Sequence, residues 1–404
     1  MEFAHDVGKG FFPLDEELEL LPGELTPYGH ECLVRLSGWM PFRKATEIFE
    51  DLLGIHVSKI VGQQYTERAG AAYEQLQNDE VDLLEKKMPP APEGAEKMLI
   101  SADGAMVPLL HGVWAEVKTL VVGEVQPPKD EHGEQVVHTK KLSYFSRKVN
   151  SETFERLALV EIHRRGVENA KQVAAVMDGA EWEQGFTEHH CPKAVRILDF
   201  PHAAEHISAI GAFLHGENTP ETHTWLDERL HKLKHCGPEE MLVEFRELQL
   251  QNSETQEITS NLAYLEKRKQ QMQYPSFQAQ GWPIGSGMVE SGNKLVVEAR
   301  LKGAGMHWAE QNVNPLLTIR NILCSDRWKQ DWPKIEAKLR QQTRLQRKEL
   351  RLTRAKIVRI QLAPPLPKPN PDTSPSVSPK IKPNPWRNFK FGKALCQRKS
   401  SPKI

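Results

Sequence analysis

Hydrophobic residues with helical spacing mark the first interpretable elements of the chain. Six apolar side chains fall on one helical face just after Pro41: Phe42, Ala45, Ile48, Phe49, Leu52 and Leu53. Gly54 follows where such a helix would end, and Ser58 can cap a second helix. The pattern predicts two helices joined by a short turn. This arrangement fits a helix-turn-helix that binds a DNA groove, and a plain helical hairpin is the alternative.

Beyond the proline-rich segment 89–92, the apolar pattern changes from helical to extended. Three runs rich in β-branched and aromatic residues predict consecutive antiparallel strands, at 98–102, 113–125 and 136–149. The next segment, 151–165, begins with a serine that can cap a helix and continues at helical spacing. Two short buried strands are then predicted, at 173–177 and 194–198, each followed by an acidic residue. The predicted order is three strands, a helix, a strand, a helix and a strand.

Helical patterning returns in the second half of the chain. Residues 202–280 are predicted to be wholly helical, a further helix carries Glu290 after Gly285-Ser286-Gly287, and another begins near Asn314. These changes divide the chain into five regions: a helical N-terminal region (1–92), the first part of an α/β core (93–202), an all-helical insertion (203–282), the second part of the core with the Glu290 helix (283–333), and a basic, largely disordered tail (334–404).

Charge separates the tail from the rest, although the whole chain has a net charge of only −1. Residues 334–404 hold 19 Lys and Arg against 3 Asp and Glu, so the preceding residues form an acidic body. Residues 340–359 are predicted to be a basic amphipathic or solvated helix. The segment 363–385 is rich in Pro, Ser and Lys and is predicted to be disordered. This basic end suits a phosphate-rich partner.

Composition sets the broad class of the protein. A hydrophobic fraction of 39% and a charged fraction of 26% argue against wholesale disorder and against a fibrous repeat. No apolar run is long enough to cross a membrane and the start lacks the features of a signal peptide, so we expect a cytoplasmic protein with no membrane partner. The five cysteines form no C-x-x-C pair, which favours free thiols in a reducing compartment.

Three carboxylates occupy positions typical of active sites. Asp103 and Asp178 each follow an apolar strand and precede a glycine, where we expect the side chain to project beyond the sheet. Glu290 lies in the first turns of a helix that a glycine-rich loop introduces. Carboxylates on three different elements can converge on two Mg²⁺ ions that promote attack on a phosphodiester. Taken singly, Asp-Gly is also a common turn, and a Glu near a helix start also suits the helix dipole.

Four segments around these acids resemble the ISKra-type insertion-sequence transposases, which are relatives of the Mutator-like group. They are ISADGAMVPL around Asp103, VMDGAEW around Asp178, ILDFPHAAEH from Ile197, and PIGSGMVESGNKLVVEARLKGAGMHW from Pro283. The resemblance covers roughly residues 11–328. It implies an RNase H-like α/β catalytic domain, with a mixed sheet and flanking helices, that the all-helical insertion interrupts.

The resemblance also implies a chemistry and its partners. It implies a bacterial DDE transposase that binds the terminal repeats of its element in double-stranded DNA as a homo-oligomer, then cleaves the strands and transfers them to target DNA. Asp103, Asp178 and Glu290 would be the catalytic acids that bind Mg²⁺ or Mn²⁺. Asp199-x-x-His202 resembles the C/D(2)H signature of the Mutator-like group, which implies an auxiliary role at the site or in holding DNA.

Two alternatives remain open around Asp199. A helix cap by Asp199 with a structural His202 explains the same residues, and Asp199 also competes with Asp178 as the second catalytic acid. His202, Glu205 and His206 spell H-x-x-E-H, the inverted zincin pattern, which makes a zinc peptidase a competing class of enzyme. The run of His189, His190 and Cys191 cannot surround one ion, and we expect a loop there.

Basic residues downstream of Glu290 are candidates for DNA contact. Lys294 follows Glu290 by one helical turn, and Arg300 and Lys302 precede a Gly-Ala-Gly turn, so all three could meet phosphates. A solvated charged face is the alternative. Trp308 could stack on a displaced base, or it could pack in the interior.

Two departures from the family lead to a second function hypothesis. Family members commonly carry a cysteine-rich, zinc-ribbon-like segment before the region that residues 10–20 resemble, and we expect its loss to impair recognition of the element ends. The basic tail beyond Arg344 is also unlike the family's compact end. A non-catalytic, truncated or domesticated DNA-binding protein, in which the tail supplies most of the affinity, is therefore the alternative function.

Overall fold

The computed structural model describes residues 25–131, 134–251 and 256–361. The helices are α1 (Pro27–Trp39), α2 (Phe42–Leu53), α3 (Lys59–Lys86), α4 (Ser151–Arg164), α5 (Glu181–His190), α6 (Phe200–His215), α7 (Pro220–Cys236), α8 (Glu239–Gln251), α9 (Gln256–Lys267), α10 (Tyr274–Ala279), α11 (Gly287–Gly292), α12 (Ala299–Leu301), α13 (Glu310–Cys324) and α14 (Trp328–Gln361). The strands are β1 (Lys97–Pro108), β2 (Trp114–Val125), β3 (Lys129–Glu131), β4 (Glu134–Val136), β5 (Thr139–Arg147), β6 (Gln172–Met177) and β7 (Val195–Leu198). Within these ranges, no helix combines the length and the apolar run that crossing a membrane requires.

The described part of the N-terminal region, from residue 25 onward, is mainly helical, as its periodicity predicts. Gly54 ends α2 in the left-handed conformation (φ 66°), and the Ser58 hydroxyl oxygen accepts a bond from the Val61 N–H at the start of α3. The preceding helix α1, which Thr26 caps, is not predicted from the sequence. α3 packs closely on α13, because Gly70 leaves room for the Pro315 carbonyl. A Cβ atom at Gly70 would stand 1.9 Å from that oxygen.

The five-stranded sheet is mixed and has the order β5-β2-β1-β6-β7. β1 pairs antiparallel with β2, and β2 pairs antiparallel with β5, which confirms the prediction for the first three long strands. β1, β6 and β7 are parallel neighbours. The small hairpin of β3 and β4, between β2 and β5, is not predicted from the sequence.

Alternating side chains of β1 separate two cores. Met98, Ile100 and Ala102 belong to the cluster that includes residues of α4 and α5. Leu99, Ala105 and Val107 belong to the larger cluster on the opposite face, together with residues of the helical insertion and of the Glu290 helix. Because successive side chains of a strand alternate between faces, Asp103 shares the second face with Leu99 and Ala105.

The described residues of the predicted insertion are mainly helical. Helices α6 to α10 and one short 3₁₀ turn fill the chain between β7 and the Glu290 helix. The insertion begins and ends at the same place, since the Phe200 N–H donates to the Ile284 carbonyl (2.9 Å). α6 packs against α7 and α9.

The Glu290 helix has an irregular middle. α11 continues into a π-helical segment, Asn293–Glu298, which leads into the short α12. The sequence predicts the helix but not this change of winding. π-Helical turns are uncommon and occur often at functional sites.

One predicted boundary and one predicted loop need correction. The tail boundary at 334 falls inside α14, because Ile335 and Leu339 are buried with residues of α1 and α3 and extend the helix toward the core. The predicted basic helix at 340–359 lies within α14, whereas the predicted disordered segment 363–385 lies outside the described residues. The expected loop at His189 and His190 is instead the last turn of α5, with the His190 Nε2 within 2.8 Å of the Glu155 carbonyl.

Candidate active site

Asp103 lies inside β1 and not at the end of the strand, which corrects the prediction. The strand continues to Pro108 because β2 pairs with it along its whole length. On its other side, β1 pairs with β6 only as far as Ile100. Asp103 therefore lies beyond the end of the shorter neighbour β6, and this gives its carboxylate an open edge although its own strand continues.

Asp178 follows β6 directly, as predicted, in a tight turn. Its Oδ1 accepts a bond from the Ala180 N–H (2.8 Å), which fixes the carboxylate against its own turn. Gly179 has a φ of +87°, and a Cβ atom there would lie 2.5 Å from both the Arg268 Nε and the Tyr264 hydroxyl. Arg268 donates to the Gly179 carbonyl and Tyr264 donates to the Asp178 carbonyl, so the insertion holds this turn in place.

Glu183 completes a compact group of three carboxylates. Ligand oxygens of Asp103, Asp178 and Glu183 all lie within 4.8 Å of one another. Glu183 is only 1% exposed, its Oε2 accepts from the Gly179 N–H (3.2 Å), and its Oε1 is buried without a hydrogen-bond partner. The sequence interpretation missed this residue. The sequence does contain an indication of it, because Glu183 precedes Phe186 and Thr187 by three and four residues. All three side chains therefore lie on the same, buried face of α5.

Burial and the proximity of the carboxylates to one another raise the pKa values of Glu183 and Asp103. Burial, followed by the neighbouring Asp178 and Asp103, raises the pKa of Glu183 from 4.5 to about 10. Burial also raises the pKa of Asp103, and repulsion from Asp178 and Glu290 adds to this effect against the stabilising Gly104 N–H. A site that raises the proton affinity of its carboxyls in this way favours a positively charged occupant.

Asn293 connects the Glu290 helix to the carboxylate group. Its Nδ2 donates to Asp103 Oδ2 (2.9 Å), and its Oδ1 is buried without a partner. Glu290 lies one helical turn earlier, is exposed, and accepts from the Ser286 hydroxyl at 3.5 Å. The structure thus brings Asp103 and Asp178 together directly. Glu290 lies beside them and outside the three-carboxylate group, with its charge acting on Asp103.

Asp199 caps a helix and joins two parts of the core. Its Oδ2 accepts from the His202 N–H at the start of α6 (3.2 Å), and its Oδ1 accepts from the Ser286 N–H (2.6 Å). Burial raises the pKa of Asp199, and both backbone donors oppose that rise. Because its two oxygens serve backbone N–H groups and it lies outside the three-carboxylate group, this geometry favours Asp178 as the second acid.

The H-x-x-E-H motif does not assemble a metal site in the described residues. His206 stacks on Tyr264 at 3.8 Å between ring centroids, and its Nδ1 is 2.7 Å from the Asn261 Oδ1. The Glu205 side chain is 75% exposed and pairs with His202 (3.3 Å). These three residues form no group of three close ligands, in contrast to Asp103, Asp178 and Glu183.

The four predicted DNA contacts fall into two classes. Lys294 and Lys302 are exposed, and Lys302 pairs with Glu298 (2.7 Å). Arg300 is 1% exposed, which corrects its prediction as a surface contact, and Trp308 is 8% exposed, which agrees with the alternative that it packs in the interior. Arg300 is enclosed between Phe42 and Trp308, because the N-terminal helices cover this part of the Glu290 helix.

The carboxylate group fits a hard divalent cation. It offers only carboxylate oxygens, the ligand type that Mg²⁺ and Mn²⁺ prefer, and the unpartnered Glu183 Oε1 has no protein donor to satisfy it. The unpartnered Asn293 Oδ1 adds an amide oxygen next to Asp103. The three carboxylates come from three different elements, namely β1, the turn after β6, and α5.

Comparison with known proteins adds no family to this picture. The chain matches no protein-family model, and no curated protein is significantly similar to it. A functional conclusion therefore rests on the residues and the geometry of the acidic site.

Proposed function

We propose that this chain is a DNA transposase that cleaves DNA strands and transfers them with the help of Mg²⁺ or Mn²⁺. The observation that carries the proposal is the meeting of Asp103 and Asp178 with Glu183 within 4.8 Å, next to the helix that bears Glu290. Groups of acids at this position of a sheet suit metal-dependent chemistry on phosphodiesters.

The strand order supports an RNase H-like identity for the core. Three antiparallel strands are followed by two parallel ones, in the order β5-β2-β1-β6-β7. Asp103 lies on β1, and Asp178 directly follows the parallel neighbour β6. The insertion between β7 and the Glu290 helix is where the resemblance to the ISKra-type transposases leads us to expect it. Double-stranded DNA, bound by a homo-oligomer, is the partner that this function requires.

One set of residues would hold the metal ions, and another orients the carboxylates. Asp103, Asp178 and Glu183, with Glu290 beside them, would hold the metal ions. A bound divalent ion supplies activation of the attacking hydroxyl or water and stabilises the leaving oxygen. Asn293 holds the Asp103 carboxylate in one orientation, and the Ala180 N–H does the same for Asp178. Strand cleavage and strand transfer are both substitutions at phosphorus, in which one P–O bond forms as another breaks.

The test is nicking of DNA that carries the sequences flanking the coding region. We expect Mg²⁺-dependent nicking by the full chain and a loss of about a hundredfold or more in Glu290→Gln. Glu205→Gln is the matched control, because Glu205 is an exposed acid outside the carboxylate group. This control should nick as fast as the wild type.

Two other outcomes would contradict the proposal. Equal nicking by the wild type, by Glu290→Gln and by Asp178→Asn would remove the assigned site. A second outcome is that neither the wild type nor any variant nicks DNA, and that salt-sensitive DNA binding disappears when residues 340–404 are removed. The chain is then a non-catalytic DNA-binding protein.

A further inference from the structure

An open cavity of about 430 Å³ lies beside the turn that follows α12, at the far end of β1 from its paired edge with β6. The starts of α2 and α3, residue Leu110 and residues 305–309 line it. Pro108 lies five residues beyond Asp103 along β1, which is roughly 17 Å at about 3.4 Å per residue. The cavity is therefore separate from the acidic site but lies on an extension of one of its strands.

The lining combines cationic side chains with an aromatic wall. Arg43, Lys59 and His307 are exposed residues of this lining. The described residues that line the cavity include no Asp or Glu, although Arg43 pairs with the neighbouring Glu47 (3.0 Å). Phe42 and Trp308 form the wall, with ring centroids 6.2 Å apart. The Trp308 ring is fixed, because its Nε1 donates to the Leu301 carbonyl (2.9 Å).

A buried guanidinium behind the wall adds an unbalanced positive charge. Arg300 is 1% exposed and lies 4.6 Å from the Phe42 ring and 5.2 Å from the Trp308 ring. Its Nε donates to the Ser37 carbonyl (3.0 Å), and its Nη2 is buried without a partner. No acidic side chain of the described residues pairs with it.

Arg320 reinforces this field from the neighbouring helix. It is also 1% exposed, and its guanidinium donates to the carbonyls of Gly38, Leu295 and Val296 without a carboxylate partner. A buried charge without a counter-ion is costly, and it creates a positive potential at the nearest accessible surface. For Arg300 that surface is the cavity, whose lining includes its side chain.

We propose that this cavity binds one nucleotide unit, with its base against the Phe42–Trp308 wall and its phosphate at Arg43 and Lys59. An aromatic wall accepts any base face, and clustered cations accept a phosphate, so the site would not depend on sequence. The assignment of this nucleotide to a DNA strand rests on the proposed function. At about 3.4 Å per nucleotide step, roughly 17 Å corresponds to about five steps from the acidic site.

The test is metal-free binding of a fluorescent single-stranded oligonucleotide to the full chain, measured by anisotropy at several salt concentrations. We expect the double variant Arg43→Gln, Lys59→Gln to bind about tenfold or more weakly, with a reduced slope against salt. The matched control is Lys86→Gln, Lys87→Gln, which removes the same charge. Lys86 is exposed at the other end of α3, about 40 Å from Lys59.

Two further probes identify the ligand and can overturn the proposal. An abasic oligonucleotide should bind more weakly than the normal one to the wild type. This difference should shrink in Met306→Ala, because Met306 lines the cavity together with Phe42 and Trp308. Selective loss of dTMP binding in the double variant, with oligonucleotide binding intact, would support the cavity and assign it to a free nucleotide. Equal binding of both probes by the double variant and the Lys86, Lys87 control would overturn the proposal. Since no metal or cleavage is involved, a failed nicking assay leaves this result unaffected.

Discussion

Glu183 is a buried carboxyl of the acidic centre, and its ionisation inside the folded chain is costly. It is 1% exposed with one unpartnered oxygen, and burial with Asp178 and Asp103 raises its pKa to about 10. At neutral pH an unfolded chain would ionise this group, whereas the folded metal-free chain keeps it protonated. The contribution of Glu183 to the stability of the metal-free protein is therefore full below about pH 4.5 and is lost as the pH rises toward 10.

Glu183→Gln should change stability and metal affinity in opposite directions. We expect a higher melting temperature for the metal-free variant at pH 8, because the amide has no carboxyl to desolvate, and Mn²⁺ binding about tenfold to a hundredfold weaker. Calorimetry and Mn²⁺ electron paramagnetic resonance measure the two effects. Glu188→Gln, on the exposed side of α5, is the control. A variant that binds Mn²⁺ like the wild type would exclude Glu183 as a ligand.

His30 gives the N-terminal helices a sensitivity to acid. It is 3% exposed, both ring nitrogens lack partners, and burial, aided by the nearby Arg68 charge, lowers its pKa from 6.5 to about 4. The folded state therefore resists a proton that the unfolded chain takes up below pH 6.5. Its contribution to stability is full above that pH and is lost as the pH falls toward 4.

His30→Phe should remove this component of acid sensitivity. Between about pH 6.5 and 4, the free energy of unfolding should fall less steeply in the variant, by up to about 1.4 kcal/mol per pH unit. Urea titrations at several pH values measure the slopes. His56, whose side chain is 78% exposed, supplies the control His56→Gln. Identical slopes for wild type and His30→Phe would contradict the assignment of this effect to His30.

Sequence reasoning found the acids that follow a visible pattern and missed those that depend on tertiary contacts. Asp178 ends an apolar strand before a glycine, so its position was predictable from neighbours in the chain. The inward orientation of Glu183 and the contact from Asn293 to Asp103 arise only when α5 and the Glu290 helix pack on the sheet. Arg300 failed as a surface prediction for the same reason, since helices far away in sequence cover it.

The π-helical segment Asn293–Glu298 has an identifiable physical support. Wider winding weakens the regular i to i−4 hydrogen bonds, and Arg320 from α13 donates to the Leu295 and Val296 carbonyls there. The segment allows Asn293 to reach Asp103 while Val296 and Val297 remain buried. A regular helix of this length could not keep both orientations.

Deletion of Leu295 should separate these two requirements. Removing one residue rotates one half of the helix by about 100° relative to the other, so either the Asn293 contact or the valine packing is lost. We expect a loss of at least about tenfold in nicking, with helical circular dichroism largely retained. Leu295→Ala is the control, because it keeps the length and changes an exposed side chain (39%). Full activity after the deletion would show that the winding is unimportant.

Elements with strong local signals were predicted well, and the remainder required the folded chain. Gly54 and Ser58 mark their helix ends by capping, and the observed ends agree with the predictions. β1 extends to Pro108, well past the predicted 98–102, because pairing with β2 stabilises polar and glycine positions that no strand propensity favours. α14 likewise begins in a buried contact that its basic composition conceals.

The described residues form three hydrophobic clusters, and the acidic centre lies where elements from separate regions meet. The sheet contributes Asp103 and Asp178, α5 contributes Glu183, and the insertion holds the Asp178 turn through Tyr264 and Arg268. The N-terminal helices enclose Arg300 and form one wall of the cationic cavity. The acidic and cationic sites thus depend on different neighbouring regions.

Asp199 has a consequence for how the chain could change in length. Its two carboxylate oxygens join the start of α6 to Ser286, although 87 residues separate Asp199 from that serine. Segments whose two ends meet can be lengthened, shortened or exchanged at little entropic cost to the host fold. The insertion could therefore change in length or be replaced without moving the ends at which it joins the core. The part that a replacement would have to preserve is the pair of side chains, Tyr264 and Arg268, that holds the turn at Gly179.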